Sequence, residues 1–315
     1  MDTIHKRPEG ILVIEAPPRH GKSEFISKYL PAWFLCRYPE KRVILTSYEA
    51  NFARSWGRKA RGLIEEHGWE WFGVTVSREQ QSAVDWEIAG HAGGMVTAGV
   101  GGPLTGRGAD LLIVDDPIKN AEQAVSELVR SNQWDWWQST ASTRVEPGGV
   151  IIVIQTRWHQ DDLTGRLLTD AQEEGQAVRR LRLPAIAEDN DPLGRSPGEA
   201  LWPERWPIEA LERRRKATDV YWWNSLYQQR PSQHGRTEWP ASYFGPHIWT
   251  DDFRLPFDMS AIAIDPSKGR DQKRGDYAAV VFVGLRGGLL YVNAWIDRQP
   301  ADVIVANAIE MQTEL

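Results

Sequence analysis

The sequence predicts an α/β protein whose mostly parallel sheet is covered by helices on both faces. Through residue 183, short β-branched runs alternate with helical stretches, which is typical of consecutive strand–helix units. A stretch rich in proline, tryptophan and charge follows, and a second strand–helix pattern begins near residue 258. We therefore expect a first domain over 1–183, a connecting region over 184–257 and the start of a second domain over 258–315.

The predicted elements follow from hydrophobic periodicity and from the residues that close each run. In the first domain, the expected strands are 11–15, 42–47, 111–114 and 150–155. The helices expected between and after them are 22–37, 49–67, 121–143 and one from about residue 161. The rest of the chain is expected to hold a helix near 207–228, strands at 261–264, 277–285 and 289–293, and a helix at 301–312.

The composition is that of an ordinary soluble globular protein, with 41% hydrophobic and 25% charged residues. No apolar run approaches the length of a membrane span and nothing resembles a signal peptide, so no membrane partner is expected. The single cysteine, Cys36, excludes an intramolecular disulfide and fits a buried thiol in a reducing compartment.

The formal net charge of −6 gives the chain no overall attraction to nucleic acid. Contact with DNA would have to come from local basic patches. One such patch comprises Arg54, Arg58, Lys59 and Arg61, and a second is the Arg-Arg-Arg-Lys run at 213–216. A solvated helix face explains each patch as well as a DNA contact does.

The stretch APPRHGKSE, residues 16–24, lies between the first predicted strand and the first predicted helix. Phosphate-binding loops of the pattern G-x-x-x-x-G-K-[ST] occupy this position, and here Ala16 replaces the first glycine. Lys22 would reach the outer phosphates, Ser23 would ligate Mg²⁺, and the backbone amides of 19–23 would favour an anion. The alternative is a chance Gly-Lys-Ser at a helix start. The flanking strand and helix favour the nucleotide site.

A hydrophobic strand ending in two acids supplies the second half of such a site. Asp115 and Asp116 directly follow the run 111–114. Asp115 would hold Mg²⁺, and Asp116 would polarise the attacking water. Many hydrolytic ATPases carry glutamate at the second position, and aspartate is one methylene shorter, which affects its reach. The alternative is a capped strand end before the turn at Pro117.

Arg107 lies in the glycine-rich segment 99–108 that leads into the acid-bearing strand. An arginine there can stabilise charge on a phosphate, in its own site or in that of a neighbouring subunit. A contact with a DNA phosphate and an ordinary surface arginine remain open as alternatives.

A strand delivers Gln155 and Thr156 at its C-terminal end, where ligands bind in open α/β sheets. Residues placed in this way can sense the outermost phosphate and pass its loss to the segment that follows. His159 has no cysteine or histidine partner at ligand spacing, so we expect a structural role for it rather than a metal-binding one.

Together these motifs resemble the large subunit of tailed-phage terminases, the DNA-packaging motors. The resemblance extends over nearly the whole chain and rests on four stretches: PPRHGKSE, LTGRGADLLIVDDPIKN, VIIVIQTRWHQDDLTGRLL and AIAIDPSKGRDQKRGDYAAVV. The third stretch is the most specific. The phosphate loop of that family departs from the usual pattern and carries a basic residue before Gly-Lys, a position that Arg19 matches.

The resemblance implies an N-terminal RecA-like ATPase followed by a nuclease of the RNase H-like fold. It implies that ATP and Mg²⁺ are bound by the end of the phosphate loop: Arg19, His20, Gly21, Lys22 and Ser23. It makes Asp115 the metal-binding acid and Asp116 the catalytic acid. The segment implied to couple hydrolysis to DNA movement consists of Gln155, Thr156 and Arg157. Arg107 becomes the best candidate for an arginine finger that reaches the nucleotide of a neighbouring subunit in the motor ring.

For the nuclease, the resemblance implies that Asp265 is a catalytic, metal-binding carboxylate. Asp276 would lie near it as a further ligand for Mg²⁺ or Mn²⁺. The remaining ligands would come from later strands, and the chain ends about 50 residues after Asp265. The phosphate loop also begins within 16 residues of the start. We therefore expect a chain truncated at both ends, without the upstream segment that contacts adenine and with an incomplete nuclease.

The resemblance also implies partners and a location. The partners are double-stranded DNA, a terminase small subunit, a portal protein and further copies of the chain in a ring. The location is the cytoplasm of an infected or lysogenic bacterial host.

Three other functions remain open from the sequence. One is a helicase-like, nucleic-acid-dependent ATPase with the C-terminal strands as an accessory domain. A small-molecule P-loop kinase is disfavoured by the paired acids and by the carboxylate-bearing second domain. The third is a non-catalytic remnant of a motor protein.

Overall fold

A computed structural model describes residues 10–102, 104, 106–174, 177–232, 245, 248–250, 256–265, 278–297 and 301–314. The chain divides into two compact units, Met1–Gly235 and Arg236–Leu315. The expected connecting region, 184–257, is split at this boundary, and its larger part belongs to the first unit. Within the described residues, no helix is both long enough and apolar enough to cross a membrane.

The first unit is built on an eight-stranded mixed sheet. Its strands are β1 (Gly10–Glu15), β2 (Arg42–Ser47), β3 (Val76–Gln81), β4 (Asp85–Ile88), β5 (Gly94–Gly99), β6 (Ala109–Asp115), β7 (Val145–Gln155) and β8 (Val178–Arg182). Their order across the sheet is β3-β4-β5-β2-β6-β7-β1-β8. The six strands from β5 to β8 in this order run parallel, and β3 and β4 join the edge antiparallel. The predicted α/β class with a mostly parallel sheet is confirmed.

Helices cover both faces of this sheet. α1 (Leu30–Arg37) and α2 (Ala50–Phe72) pack on one face, and α4 (Glu127–Trp136) and α5 (Leu163–Glu174) on the other. The described part of the first unit also contains α3 (Ala121–Val125), α6 (Ile208–Ala217) and the short α7 (Val220–Trp222). Three π-helical segments continue or precede them: Glu24–Tyr29 before α1, Trp137–Ala141 after α4 and Trp223–Tyr227 after α7. A short 3₁₀ turn, Ser142–Arg144, leads into β7.

Two hydrophobic clusters hold the helices on the sheet. On one face, Leu45, Ile113 and Ile152 pack with side chains of α1 and α2, among them Leu35 and Trp56. The cluster on the other face joins β1, β6 and β7 to α4 and α5, through Val13, Leu112, Val153, Trp136 and Leu167. Strands buried on both faces explain why these runs are almost continuously apolar in the sequence.

The predicted helix over 121–143 is interrupted, which corrects the sequence interpretation. The Asn120 side chain caps α3, and the Ser126 side chain accepts a hydrogen bond from the Val129 amide to start α4. Ser126 has extended backbone geometry, which a helix interior does not allow. A serine that caps a new helix competes with continuation of the old one.

The strands β3, β4, β5 and β8 were not predicted. The β3 and β4 sequences, VSREQQ and DWEI, are short and partly polar, and β8 (VRRLR) is mostly charged. β3, β4 and β5 do contribute core residues, namely Val76, Trp86, Ile88 and Met95, but their apolar runs are too short to mark a strand in the sequence. β8 is held by its parallel pairing with β1.

The second unit contains a three-stranded antiparallel sheet and one helix. Its strands are β9 (Met259–Asp265), β10 (Ala278–Arg286) and β11 (Leu289–Asp297), in the order β11-β10-β9, followed by α8 (Ala301–Glu314). The two-residue turn between β10 and β11 uses Gly287 and Gly288, both with positive φ. A small cluster that includes Val280, Ile304 and Ala308 packs α8 against the sheet.

Candidate nucleotide-binding site

The topology brings the predicted site segments to one edge of the first sheet. β1, β7 and β6 are neighbours and run parallel, so their carboxyl ends Glu15, Gln155 and Asp115 lie at the same edge. The loop after β1, the acids at the end of β6 and the segment after β7 therefore meet there. This is the edge at which open α/β sheets bind ligands.

The loop after β1 is a tight turn that leads directly into a helix. Arg19 and Gly21 both have positive φ, 63° and 84°. The chain is helical from Lys22 onward, and the Phe25 amide donates to the Gly21 carbonyl at 3.2 Å. Backbone amides at the start of a helix attract anions. Ala16, where a glycine was expected, is buried, and its amide donates to the Gln155 carbonyl at 3.2 Å. Its φ is not positive, so its backbone does not require glycine.

Lys22 and Asp116 form an ion pair across the site. Lys22 Nζ lies 2.6 Å from Asp116 Oδ2. Asp116 has a left-handed backbone, with φ at 43°, and its amide donates to the Ile154 carbonyl at 2.8 Å. The other carboxylate oxygen of Asp116 accepts the Thr156 amide at 2.8 Å. The acid is therefore oriented from two sides.

Asp115 is fully buried and accepts two hydroxyl hydrogen bonds. Ser23 Oγ donates at 3.0 Å to one of its oxygens, and Ser27 Oγ donates at 2.7 Å to the other. Burial, and after it the charge of Asp116, raise the pKa of Asp115 to about 7. Ser27 was missed in the sequence, although it lies one helical turn after Ser23 on the same helix face.

The oxygens around Ser23 and Asp115 suit a divalent cation. Mg²⁺ prefers hard oxygen ligands and takes one or two protein groups together with phosphate oxygens and water. The Ser23 hydroxyl and the Asp115 carboxylate are such ligands, 3.0 Å apart. A cation there would also favour the charged form of Asp115 and so oppose the upward shift of its pKa. These residues therefore fit the predicted magnesium site.

Thr156 joins the phosphate loop to the acid. Its amide donates to Asp116, and its hydroxyl donates to the Ala16 carbonyl at 3.1 Å.

The side chain of Gln155, by contrast, makes no such contacts within the described part of the chain. Both polar atoms of its buried side chain lack a partner among the described residues. In the register of the sheet, Gln155 lies beside Glu15 and Asp115 lies beside Ile154. Since Ile154 and Gln155 are consecutive residues of one strand, the side chains of Gln155 and Asp115 point to opposite faces of the sheet.

Arg157 is buried and forms ion pairs with two buried carboxylates. Its guanidinium pairs with Glu15 and with Asp162, the latter through Nε at 2.8 Å. Burial opposes the charge of Arg157, but the Asp162 and Glu15 carboxylates outweigh it and raise the pKa of the guanidinium. Its backbone amide donates to Gln229 Oε1 at 2.9 Å. Arg157 therefore ties the end of β1 to the start of α5 and to the segment beyond β8.

That segment, 184–232, contacts the site at two further places that the sequence did not indicate. At the phosphate loop, Trp206 Nε1 donates to the Arg19 carbonyl at 3.3 Å, and the Trp206 ring stacks on His20. In the loop that follows β7, the Trp158 carbonyl accepts a hydrogen bond from the Tyr221 hydroxyl at 2.9 Å. The segment was expected to be a connection, and it instead packs on both functional loops.

Arg107 is not brought to this site. It lies two residues before β6 begins, whereas Asp115 ends that strand, so the two occupy opposite edges of the sheet. Arg107 Nη1 pairs with Asp85 Oδ2 at 2.6 Å, and its side chain is 41% exposed. A role in its own site does not fit this position, whereas a role towards a neighbouring molecule stays a prediction.

The predicted nuclease residues lie in the second unit. Asp265 is exposed at the end of β9. Asp276 lies outside the described residues. In the part of the chain that the structure describes, no three histidine, cysteine or acidic residues are grouped to hold a metal. His159, expected to be structural, accepts the Asp161 amide at 3.0 Å.

Comparison with solved structures finds similarity to phage proteins. The HK97 bacteriophage large terminase has 13% identity and a TM-score of 0.45, over 95% of this chain and 64% of that one. A large terminase from a thermophilic bacteriophage, in complex with ATP-gamma-S, has 11% identity and a TM-score of 0.42, over 98% and 69%. The Thermus phage P74-26 large terminase ATPase domain has 15% identity and a TM-score of 0.47, over 73% of this chain and 92% of that one. This chain thus spans 64% of the HK97 protein.

The chain was also compared with protein-family models and with curated sequences. No curated protein shows significant similarity to the chain. A family described as "Terminase large subunit, T4likevirus-type, N-terminal" matches residues 13–223. The match covers more than half of the chain and includes the phosphate loop, both acids and the segment after β7. The chain therefore belongs to the terminase large-subunit family.

Proposed function

We propose that the chain is the ATP-hydrolysing part of a motor that drives double-stranded DNA into a phage procapsid. The observation that carries the proposal is the meeting of Lys22, Ser23, Asp115 and Asp116 at the carboxyl edge of the sheet. A lysine and a hydroxyl at a helix start, facing two acids at a strand end, are the parts that P-loop ATPases use.

Nucleotide binding requires Lys22 to change partners. Its ammonium is paired with Asp116, and the phosphates of ATP would compete for the same charge. The amides of residues 19–23 and the exposed Arg19 side chain would hold the phosphate oxygens, with His20 and Gly21 shaping the loop. Bound Mg²⁺, held by Ser23 and Asp115, would neutralise phosphate charge.

Asp116 is the group that would orient the attacking water. Once Lys22 is drawn to the phosphates, one carboxylate oxygen of Asp116 is released, while the other is still held by the Thr156 amide. A carboxylate held in this way can accept a hydrogen bond from water in a fixed direction.

Coupling to DNA movement would run through residues 155–157. Thr156 touches Asp116 and the phosphate loop, and the next residue, Arg157, bonds to Gln229 in the segment 184–232. Gln155 is buried and both polar atoms of its side chain lack a partner among the described residues, so they are free to bond to a ligand or to a group that moves at this edge. These contacts support a path from hydrolysis to the segment beyond β8.

The remaining parts of the proposal concern partners and the second unit. The motor would act as a ring in the cytoplasm of a bacterial host, with Arg107 reaching a neighbouring subunit, and with a small subunit and a portal protein as partners. The four consecutive basic residues 213–216 on α6 are all exposed, which supports a DNA contact there. Asp265 and Asp276 would hold Mg²⁺ or Mn²⁺ in a metal-dependent endonuclease.

The test is ATP hydrolysis by the chain and by Lys22→Ala, with and without double-stranded DNA. We expect hydrolysis by the chain, stimulation by DNA and loss of both in the variant. Absence of hydrolysis in the unaltered chain would favour a non-catalytic remnant. DNA-stimulated hydrolysis accompanied by strand separation would favour a helicase-like motor.

A further inference from the structure

We infer that Phe25 and Trp202 form a stacking site for the base of the nucleotide, beside the phosphate loop. This inference rests on the nucleotide site proposed above and adds the part of it that recognises the base. The two residues are far apart in the sequence and belong to different segments of the first unit. No local sequence pattern joins them.

Both rings border the same point of the loop. A methyl group placed on the Gly21 Cα atom would lie 3.5 Å from the Trp202 ring and 3.8 Å from the Phe25 ring. Gly21 immediately precedes Lys22, so this point lies next to the proposed position of the phosphates. The base of a nucleotide held there must lie outside the loop and within a few bonds of it.

The two rings are exposed, although both are large and apolar. Phe25 is 68% exposed and Trp202 is 36% exposed. Exposed aromatic faces beside a phosphate site match the needs of a nucleobase, which has an apolar face to stack and follows the phosphates by one sugar. Tyr29, one helical turn after Phe25, extends the aromatic surface, with 6.4 Å between the ring centroids.

The backbones that carry both rings are hydrogen-bonded to the loop or to a turn that contacts it. Phe25 is one helical turn from Gly21, and its amide donates to the Gly21 carbonyl. Trp202 begins a turn that ends at Trp206, whose amide donates to the Trp202 carbonyl at 2.7 Å. Trp206 in turn is anchored on the loop by its indole hydrogen bond to Arg19 and by stacking on His20. The protein's own hydrogen bonds therefore place the backbones of both aromatic residues beside the loop.

A positive charge accompanies the rings. The Arg205 guanidinium lies 5.3 Å from the centroid of the Trp202 ring. Arg205 directly precedes Trp206, whose indole donates to the Arg19 carbonyl of the phosphate loop. The guanidinium lies over one face of the Trp202 ring, and its positive charge suits a ligand that carries phosphates as well as a base.

The experiment compares two ligands that share phosphates but differ in the base. Binding of ATP and of inorganic triphosphate, each with Mg²⁺, is measured by calorimetry for the full chain, Phe25→Ala and Trp202→Ala. We expect each substitution to weaken ATP binding by roughly tenfold and to leave triphosphate binding within about twofold, since stacking acts on the base alone. Trp202→Phe retains a ring and should retain most of the ATP affinity.

A matched control is available on α2. Trp69 is 72% exposed and lies near the far end of that helix, about 30 Å from its start by helix geometry. Trp69→Ala should leave the binding of both ligands unchanged. Thermal unfolding of each variant checks that the fold is intact.

The outcomes separate this inference from the proposed function. Unchanged ATP binding in both alanine variants, or an equal loss of ATP and triphosphate binding, would overturn the stacking site while leaving the nucleotide site standing. If the unaltered chain bound neither ligand, the nucleotide site would be wrong, and the stacking site with it. Loss of affinity in Trp202→Phe equal to that in Trp202→Ala would also contradict stacking.

Discussion

Lys22 and Asp116 are joined by a 2.6 Å ion pair that closes the candidate site. The pair links the last basic residue of the phosphate loop to the acid proposed to orient water. While this ion pair is formed, the Lys22 ammonium is not free to bind phosphate, and the paired oxygen of Asp116 is not free to accept a hydrogen bond from water. Opening this pair is therefore the first event that ATP binding must bring about.

The first prediction concerns Asp116→Asn. We expect hydrolysis to fall by about 10²- to 10⁴-fold, because an amide does not replace a carboxylate in orienting and polarising water. ATP should bind at least as tightly as to the unaltered chain, because Lys22 no longer has a charged competitor. Steady-state hydrolysis and calorimetric binding measure the two effects.

Asp110→Asn is the matched control for that substitution. Asp110 lies on the same strand, at the opposite edge of the sheet, where it bonds to Lys41 at 2.6 Å. Its substitution should leave hydrolysis within about twofold of the unaltered chain. A comparable loss in both variants would mean that β6, rather than the site, had been damaged.

The second prediction concerns Asp115 and pH. Folding raises the pKa of this carboxyl from 3.8 to about 7, mainly through burial. The folded chain then holds a proton that the unfolded chain releases, so stability falls as pH rises from about 4 to about 7. Asp115→Asn removes this titration, and its Tm should decline less across that window when neither Mg²⁺ nor nucleotide is added. Parallel pH dependence in the two proteins would contradict the shift.

The third prediction concerns the buried ion pairs of Arg157. Arg157→Met would leave Glu15 and Asp162 buried beside an apolar group, and we expect a loss of roughly 3–5 kcal/mol in the free energy of unfolding. Denaturant unfolding measures it. Arg180 also pairs with Glu15 but is 41% exposed, so Arg180→Met should cost clearly less. Equal costs would show that Arg157 is not the centre of the cluster.

The fourth prediction concerns Thr156. Thr156→Val keeps the shape of the side chain and removes its hydroxyl bond to the Ala16 carbonyl. We expect hydrolysis to slow by roughly tenfold to a hundredfold, because Asp116 and the loop lose a shared constraint on their geometry. ATP binding should change little. Thr156→Ser keeps the hydroxyl and should stay close to the unaltered rate, and a slow serine variant would speak against this role.

The fifth prediction concerns the basic run on α6. Arg215 pairs with Glu212, so the variant combines Arg213→Gln, Arg214→Gln and Lys216→Gln. If these side chains neutralise DNA phosphates, binding to double-stranded DNA should weaken and depend less steeply on salt. The logarithmic slope should fall by up to about 0.9 for each phosphate that is no longer neutralised. Arg58→Gln with Lys59→Gln on α2 is the comparison. An effect of the α2 variant alone would move the DNA-binding surface to that helix.

The local structure around the phosphate loop and its acids was readable from the sequence. The strand ending at Glu15, the helix from Lys22 and the strand ending at Asp115 were predicted with nearly their observed bounds. These elements are buried on both faces or lie next to a turn, so their limits are marked by apolar runs and by the residues that close them. The phosphate loop and its acids were found for the same reason.

The contacts that complete the site were not readable. Ser27 was missed because its role depends on Asp115, 88 residues away, and Trp206 because its partner Arg19 is 187 residues away. The segment 184–232 has little periodicity, so its packing against the loop left no local signal. Arg157 reads as one more charged residue until two buried carboxylates are found on either side of it.

The sequence by itself determined the α/β class, the order of the principal strands and helices of the first unit, and the residues that meet phosphate and metal in the proposed site. These properties are set by short-range patterns of burial, turn chemistry and helix capping. The tertiary structure alone decided that Lys22 pairs with Asp116, that Arg107 pairs with Asp85 and that Trp202 and Phe25 flank Gly21. Those relationships arise when distant segments close on one another, and the free energy of such contacts depends on partners that no local stretch of sequence specifies.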